Sequence, residues 1–392
     1  MHRQVMVLTL GIAITGSNSL LLSPILADVA AGVDTTPVVV SRALAAYGGA
    51  TALSALLLAP RLDRLGARRT LAAGMCGLAT AMLISATAWH WLVLVLAQTV
   101  AGLAAGVVLP STYMLATAIA PRGEEARLLG RVLAGWSIAL VLGVPASALA
   151  TDLVGWRSPF LVLAALATVT LVGVVSLPRD RTAPIAPQQG LLISLTYPGV
   201  AALLLVCLAY MAAFYGTYAF VGDALRAAAG ASAAVAGLVV LAYGVGFGLA
   251  SAADGWLDRV SPQRALPWML LALGGIYLAL PPAVSSVWAA AGTTLVWGFV
   301  NHLGLNALLV LLSRAHPERR GSVLGLYSAV TYLAAMLGTA GAAVLYQHGS
   351  FGAVGLVAAS LVTLAGLAEL SRHAPDARSR SDGALTGRRA GS

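Results

Sequence analysis

The sequence predicts an all-α polytopic membrane protein, with twelve transmembrane helices forming two six-helix bundles related by an internal repeat. Three observations carry that reading. Hydrophobic residues make up 59% of the chain and charged residues 9%, where a soluble globular protein carries about 25% charged residues. Apolar runs of about 20 residues, the length that crosses the hydrocarbon, recur along the whole chain. Between two such runs stands Arg61-Leu62-Asp63-Arg64-Leu65-Gly66-Ala67-Arg68-Arg69, and later, in the same setting, Leu257-Asp258-Arg259-Val260-Ser261-Pro262-Gln263-Arg264. The differences 257 − 62, 258 − 63, 259 − 64 and 264 − 69 are all 195. Leu129-Gly130 with Leu324-Gly325, and Gly143 with Gly338, keep the same interval, so the second half repeats the first with almost no net insertion.

Taken in order, the spans are expected near 4–26, 38–60, 70–88, 91–118, 132–151 and 157–177, then 199–221, 233–254, 265–282, 285–312, 322–346 and 351–370. Arg3 before an apolar run suggests a signal peptide, but the run exceeds the roughly 7–15 residues of a signal core and is read as span 1. Spans 4 and 10 are long enough to tilt. The polar stretch 178–198, with Pro184, Pro187, Gln188 and Gln189, falls where the repeat divides. The chain is accordingly divided into an N-terminal bundle (1–177), a cytoplasmic linker (178–198), a C-terminal bundle (199–370) and a tail (371–392). The tail has too few apolar residues to bury a core and is read as disordered.

Charge placement orients the bundle. With the N-terminus inside, twenty of the 23 arginines fall in cytoplasmic ends, loops or tail. Arg42, Arg157 and Arg226 fall outside, beside Asp28, Asp34, Asp152 and Asp223. This positive-inside bias predicts a multi-pass protein of the cell membrane (the inner membrane of a bacterium) with both termini in the cytoplasm. The net charge of +9 then faces the anionic inner leaflet and calls for no nucleic-acid partner. Cys76 and Cys207 lie in separate spans without CxxC or His spacing, so neither a disulfide nor a metal site is expected. The chain contains no GxxxxGK[ST] phosphate loop, which disfavours a nucleotide-driven pump. Nor do the spans offer clustered carboxylates, histidines or a nucleophile with its base, so no enzyme and no cofactor are expected.

Twelve spans, a six-plus-six repeat, a central linker and an Asp-Arg-rich turn after span 2 together resemble the major facilitator superfamily over nearly the whole chain. Within it the resemblance is to the drug and small-solute exporters, the drug:proton antiporter-like branch. The family's cytoplasmic motif, Gly-x-Leu-Ala-Asp-Arg-x-Gly-Arg-Arg in outline, is matched by Leu62, Asp63, Arg64, Gly66, Arg68 and Arg69, with Ala59 in place of its leading glycine. Asp258, Arg259 and Arg264 stand in the second copy. The resemblance implies a clamp between the halves that breaks and re-forms as access alternates. On physical grounds alone, Gly66 suits a chain reversal, Asp63 suits the amides of a helix N-terminus, and the arginines suit bidentate pairing with carboxylates. In span 5, Leu142-Gly143-Val144-Pro145-Ala146-Ser147 is similar to the exporters' span-5 motif. Gly143 permits close helix approach and Pro145 leaves a carbonyl unpaired one turn back, which predicts a bent, tightly packed helix. The family's span-4 arginine is Gln98 here, ahead of Gly102 and Gly106. A neutral amide cannot tune a carboxylate as an arginine does, so the usual arrangement for proton coupling is missing.

Ionisable groups in mid-membrane are costly and mark pathways. None of the fourteen acids falls in mid-span, which leaves His302 in span 10 as the candidate for proton coupling; histidine titrates near physiological pH, at about 6.5. His302 and Asn306 share a helical face beside Asn301. Asn18 in span 1, Gln98 and Tyr113 in span 4, and Tyr210, Phe214 and Tyr218 at intervals of four in span 7 complete the expected substrate-binding set, since the resemblance lines the cavity with spans 1, 4, 7 and 10. Each of these residues also has a structural explanation, as a helix-to-helix hydrogen bond or a packing contact. A cavity of aromatic rings, a few amides and one imidazole suits a lipophilic or amphipathic solute and not a polyphosphate.

The implied function is secondary active export of such a solute by alternating access, coupled to protons. The alternatives are an uncoupled facilitator, a sugar- or amino-acid-type permease, and, from another class, a non-transporting membrane receptor. The expected partners are a small-molecule solute, protons and membrane lipid, with the protein working as a monomer.

Overall fold

The structure is a computed structural model, and it describes residues 2–58, 66–121, 124–177, 195, 197, 199–253, 259–315 and 320–373. Eleven helices among them are long and apolar enough to cross a bilayer, and a pair bent by 58°, His2–Leu20 and Leu22–Gly32, makes the twelfth span. Spans 2 to 6 are Pro37–Leu57, Ala67–Ala86, Trp91–Ile119, Arg127–Val154 and Ser158–Val175. Spans 7 to 12 are Val200–Ala229, Ala233–Ala250, Pro262–Ala283, Val287–Ala315, Arg320–His348 and Phe351–His373. The last of these continues three residues past the expected boundary at 370. The 178–198 linker, apart from residues 195 and 197, lies outside the described residues, as does the tail beyond 373.

Local chemistry explains where the helices bend and end. Pro24 has no N–H to give the Leu20 carbonyl and its ring crowds that oxygen, and the chain breaks at Leu21. Pro145 acts the same way on Val141. There the helix relaxes into a π segment, Ala139–Gly143, with the Val144 N–H bonded to the Ala139 carbonyl, which is the bend expected of span 5. Thr36 and Ser232 accept amide hydrogen bonds at the starts of spans 2 and 8, from Val39 and Val235, and Gly230 ends span 7 with φ of 65°. Large apolar side chains such as Val169, Leu205 and Leu364 are more than 60% exposed on the outside of the bundle, the face that meets lipid.

The repeat is visible in the packing. A Cβ on Gly143 would stand 2.0 Å from Ser17 Oγ, and one on Gly338 would stand 2.3 Å from the Ala212 carbonyl. Both members of the first contact shift by 195 to give the second (143 to 338, 17 to 212). The halves meet along two equivalent seams. Span 2 lies on span 11, with Gly48 against the Met336 backbone, and span 8 lies on span 5, with Gly244 against Leu140. Gly237 of span 8 faces Pro145 and Ala148, so Gly143 and Pro145 do lie at tight helix contacts, one within its own half and one across the halves.

Candidate functional site

Between the halves lies a small chamber. Spans 1 and 2 contribute Ser19, Ser23 and Tyr47 to its wall, and spans 7 and 11 contribute Tyr215, Tyr218 and Tyr332. Its volume is about 20 Å³, room for about one water, whereas a solute pocket takes about 300–1,000 Å³. The halves are thus drawn together around it.

Polar contacts close the end of the bundle remote from the start of span 1 and the end of span 12. Arg226, in the last turn of span 7, pairs with Asp28 near the end of span 1, its Nη2 donating to Oδ1 at 2.9 Å and its Nη1 to Oδ2. The same guanidinium donates to the Pro24 carbonyl at 3.3 Å. Asp152, at the end of span 5, accepts the backbone N–H groups of Ala233 and Ala234 at 3.1 and 2.8 Å. A carboxylate thereby caps the N-terminus of span 8 in the other half, where the helix dipole favours negative charge. Asp223 accepts a 2.8 Å hydrogen bond from Tyr346. The three arginines that break the positive-inside pattern are all engaged: Arg42 lies over the Trp91 ring, Arg157 over Trp156, and Arg226 on Asp28.

The structure brings Asn18 and Gln98 together, though not at the chamber. Asn18 Nδ2 donates to Gln98 Oε1 at 3.0 Å, and Gln98 Nε2 donates to Asn18 Oδ1 and to Ser85 Oγ, both at 3.3 Å. Both residues are fully buried, so spans 1, 3 and 4 are tied by a reciprocal amide pair. Gly102 and Gly106 let span 4 press on span 2, where a Cβ would come within 2.3 Å of the Tyr47 carbonyl and 2.5 Å of Ser54 Cβ. Tyr113 is half-buried on the same span.

The expected aromatic stripe is divided. Tyr210 is buried and donates to the Asn301 carbonyl at 2.6 Å. Phe214 and Tyr218 join Tyr243 and Trp297 in a ring cluster, with Phe214 5.5 Å from Tyr218 and 5.7 Å from Tyr243, and Tyr243 5.0 Å from Trp297. Asn301 donates to Tyr243 Oη at 2.8 Å. The half-buried His302 lies edge-on to Phe247 at 4.7 Å, behind this cluster, and Asn306 one turn further along the helix is also half-buried. Of the expected binding residues, Tyr218 is the one placed in the chamber wall. Sequence reasoning missed Tyr47, Tyr332 and Tyr243. A signal for two of them was present, since Ala46-Tyr47-Gly48 recurs as Ala242-Tyr243-Gly244.

Of the clamp residues, Asp63, Arg64 and Asp258 lie outside the described residues. Gly66 has φ of 86° and Ser261, its partner in the repeat, φ of 69°, so both turns enter the next span through the same unusual conformation. Arg68 donates to the carbonyls of Val175 and Leu177 at 2.8 and 3.1 Å, placing positive charge on the C-terminal end of span 6 in its own half. Arg69, Arg259 and Arg264 are exposed.

A twelve-span bundle of two repeated halves, with a mostly apolar, tyrosine-rich chamber on the seam between them, is the architecture of a membrane transporter of small solutes. The chain belongs to the Major Facilitator Superfamily, whose family model matches residues 8–222 and 202–390. It is 29% identical over 368 residues to the uncharacterised MFS-type transporter YwfA of Bacillus subtilis, covering 91% of this chain and 89% of that one. It is 25% identical over 317 residues to the inner membrane transport protein YdhP of Escherichia coli, covering 80% and 82%. Among solved structures, the nucleoside transporter NupG superposes with a TM-score of 0.75 at 14% identity, over 95% of this chain and 100% of that one. The human organic anion transporter MFSD10 does so with 0.68 at 17%, over 94% and 99%. At those identities the likeness is one of fold.

Proposed function

We propose that this protein is a secondary transporter that exports a lipophilic or amphipathic small solute by alternating access, coupled to protons through His302. The observation that carries the reading is the closure of one end of the bundle. Asp28–Arg226 and the Asp152 cap join the halves remote from the start of span 1 and the end of span 12, and a collapsed chamber lies on the seam. Closure at one end by breakable polar contacts is what rocking of one half against the other requires. Twenty of the 23 arginines favour cytoplasmic termini, which turns the closed end outward. On that orientation the turns holding Asp63 and Asp258 form the clamp at the cytoplasmic face when the outer end opens.

The test has two parts. Reporter fusions at the C-terminus should be active only in the cytoplasm; activity confined to the periplasm reverses the orientation. In proteoliposomes with an imposed pH gradient, the purified protein should accumulate a lipophilic solute against its gradient. A protein that binds such solutes but moves none is a receptor.

A further inference from the structure

We infer that the chamber binds an uncharged, ring-bearing solute with hydrogen-bonding groups, stacked on the aromatic wall of the C-terminal half. This rests on the transport reading above and narrows its substrate class. Ser19, Ser23, Tyr47, Tyr215, Tyr218 and Tyr332 all carry hydroxyls, and among the described residues no acidic or basic side chain lines the chamber. Asp28 and Arg226, at the closed end of the same seam, neutralise one another. An anion or cation in the chamber would therefore sit in a low-dielectric site with no counter-charge, which disfavours its binding. A neutral solute avoids that cost.

The Tyr218 side chain points to the ligand's hydrogen bonds. It is only 3% exposed, it lines the chamber, and its hydroxyl has no hydrogen-bond partner among the described residues. An unsatisfied buried hydroxyl is destabilising, and in hydrocarbon no bulk water relieves it. A donor or acceptor on the solute would. Behind it, Asn301 Oδ1 is likewise buried and unpartnered among the described residues. The Tyr218 ring is itself part of a packed aromatic wall, 5.5 Å from Phe214, 6.1 Å from Tyr243 and 6.4 Å from Trp297. Such a wall offers offset or edge-on contacts to a ring. Hydroxyls on the opposite side, from spans 1 and 2, belong to the other half, so a solute held between them is released when the halves part.

The experiment is ligand-induced thermal stabilisation of the purified full-length protein with three matched sets of ring compounds. The neutral set is aromatic glycosides and nucleosides, the anionic set aromatic carboxylates and sulfonates, and the cationic set aromatic quaternary amines. Stabilisation is expected from members of the neutral set. Tyr218→Phe should weaken that binding about tenfold while leaving the free protein as stable or more so, because the lost hydroxyl had no partner. Thr339→Val, on span 11 in the chamber wall, should weaken it as well and serves if Tyr218→Phe does not fold. Stabilisation confined to the charged sets overturns this inference and leaves the transport reading standing. Neutral binding unchanged in both variants overturns the placement of the site, and no stabilisation by any set counts against both readings.

Discussion

Ser23 on span 1 donates its hydroxyl hydrogen to the backbone carbonyl of Tyr218 on span 7, and the two residues are 195 positions apart, the interval of the internal repeat. Repeat-equivalent residues can touch only where the pseudo-two-fold axis passes between them, so this bond marks the axis. Leu20 and Tyr215 keep the same interval and line the same chamber, which places the chamber on the axis as well. Asp28 and Asp223 are a third such pair. Their symmetry is broken by Arg226, which bonds Asp28 and whose repeat partner is Ala31. A cation between two equivalent carboxylates, committed to one of them, is suited to a contact that must form and break.

Breaking that contact should shift the conformational balance. The ion pair is partly exposed, with side-chain exposures of 17% and 28%, so it is worth about 1–2 kcal/mol after screening. Asp28→Asn should therefore raise the fraction open at that end roughly 5- to 30-fold. A cysteine placed at Leu44 in the chamber wall, with Cys76 and Cys207 replaced, reports it as faster labelling by a membrane-impermeant maleimide. An unchanged rate would show that the pair does not hold the closure.

The Asn18–Gln98 pair should behave as structure. Asn18→Leu strands polar atoms of Gln98 and should lower stability by about 1–3 kcal/mol, while Asn18→Leu combined with Gln98→Leu should recover much of the loss. Thermal unfolding in detergent measures both. A double variant as stable as the parent that nonetheless loses solute binding would return these amides to the substrate site.

Ser261 holds φ of 69° where its repeat partner is Gly66. An L side chain there is strained, so Ser261→Gly should stabilise by about 1 kcal/mol and Gly66→Ser should destabilise by a similar amount. Because the first turn also retains Arg68, where the second has Gln263, Asp63→Asn should impair transport more than Asp258→Asn at equal expression. Equal loss of flux would mean that the two turns do not differ in function.

The proposed coupling through His302 has a direct test. His302→Gln keeps much of the hydrogen-bonding capacity and removes titration, so pH-gradient-driven accumulation should vanish while downhill flux persists. If the variant still concentrates solute, Asp28 and then Asp223 are next to be replaced. If neither matters, the protein is an uncoupled facilitator.

The twelve spans, their order and their duplication were legible in the sequence because each depends on length, composition or interval along one chain. The bend at Pro145 and the turn at Gly66 were legible for the same reason, being consequences of single residues acting on their own backbone. The partners of the buried polar residues were not. In a bilayer, lipid and protein interior are equally apolar, so the spans carry no amphipathic stripe to say which face turns inward. Asn18 and Gln98 read alike as cavity residues, and only the packing of spans 1 and 4 joined them to each other. Tyr332 reads as an ordinary apolar-span residue and the repeated Ala-Tyr-Gly at Tyr47 names no partner, so only the meeting of spans 2 and 11 put them in the chamber wall. The ion pair of Asp28 with Arg226 likewise depends on two spans 198 residues apart meeting at one end of the bundle, which tertiary structure alone decides.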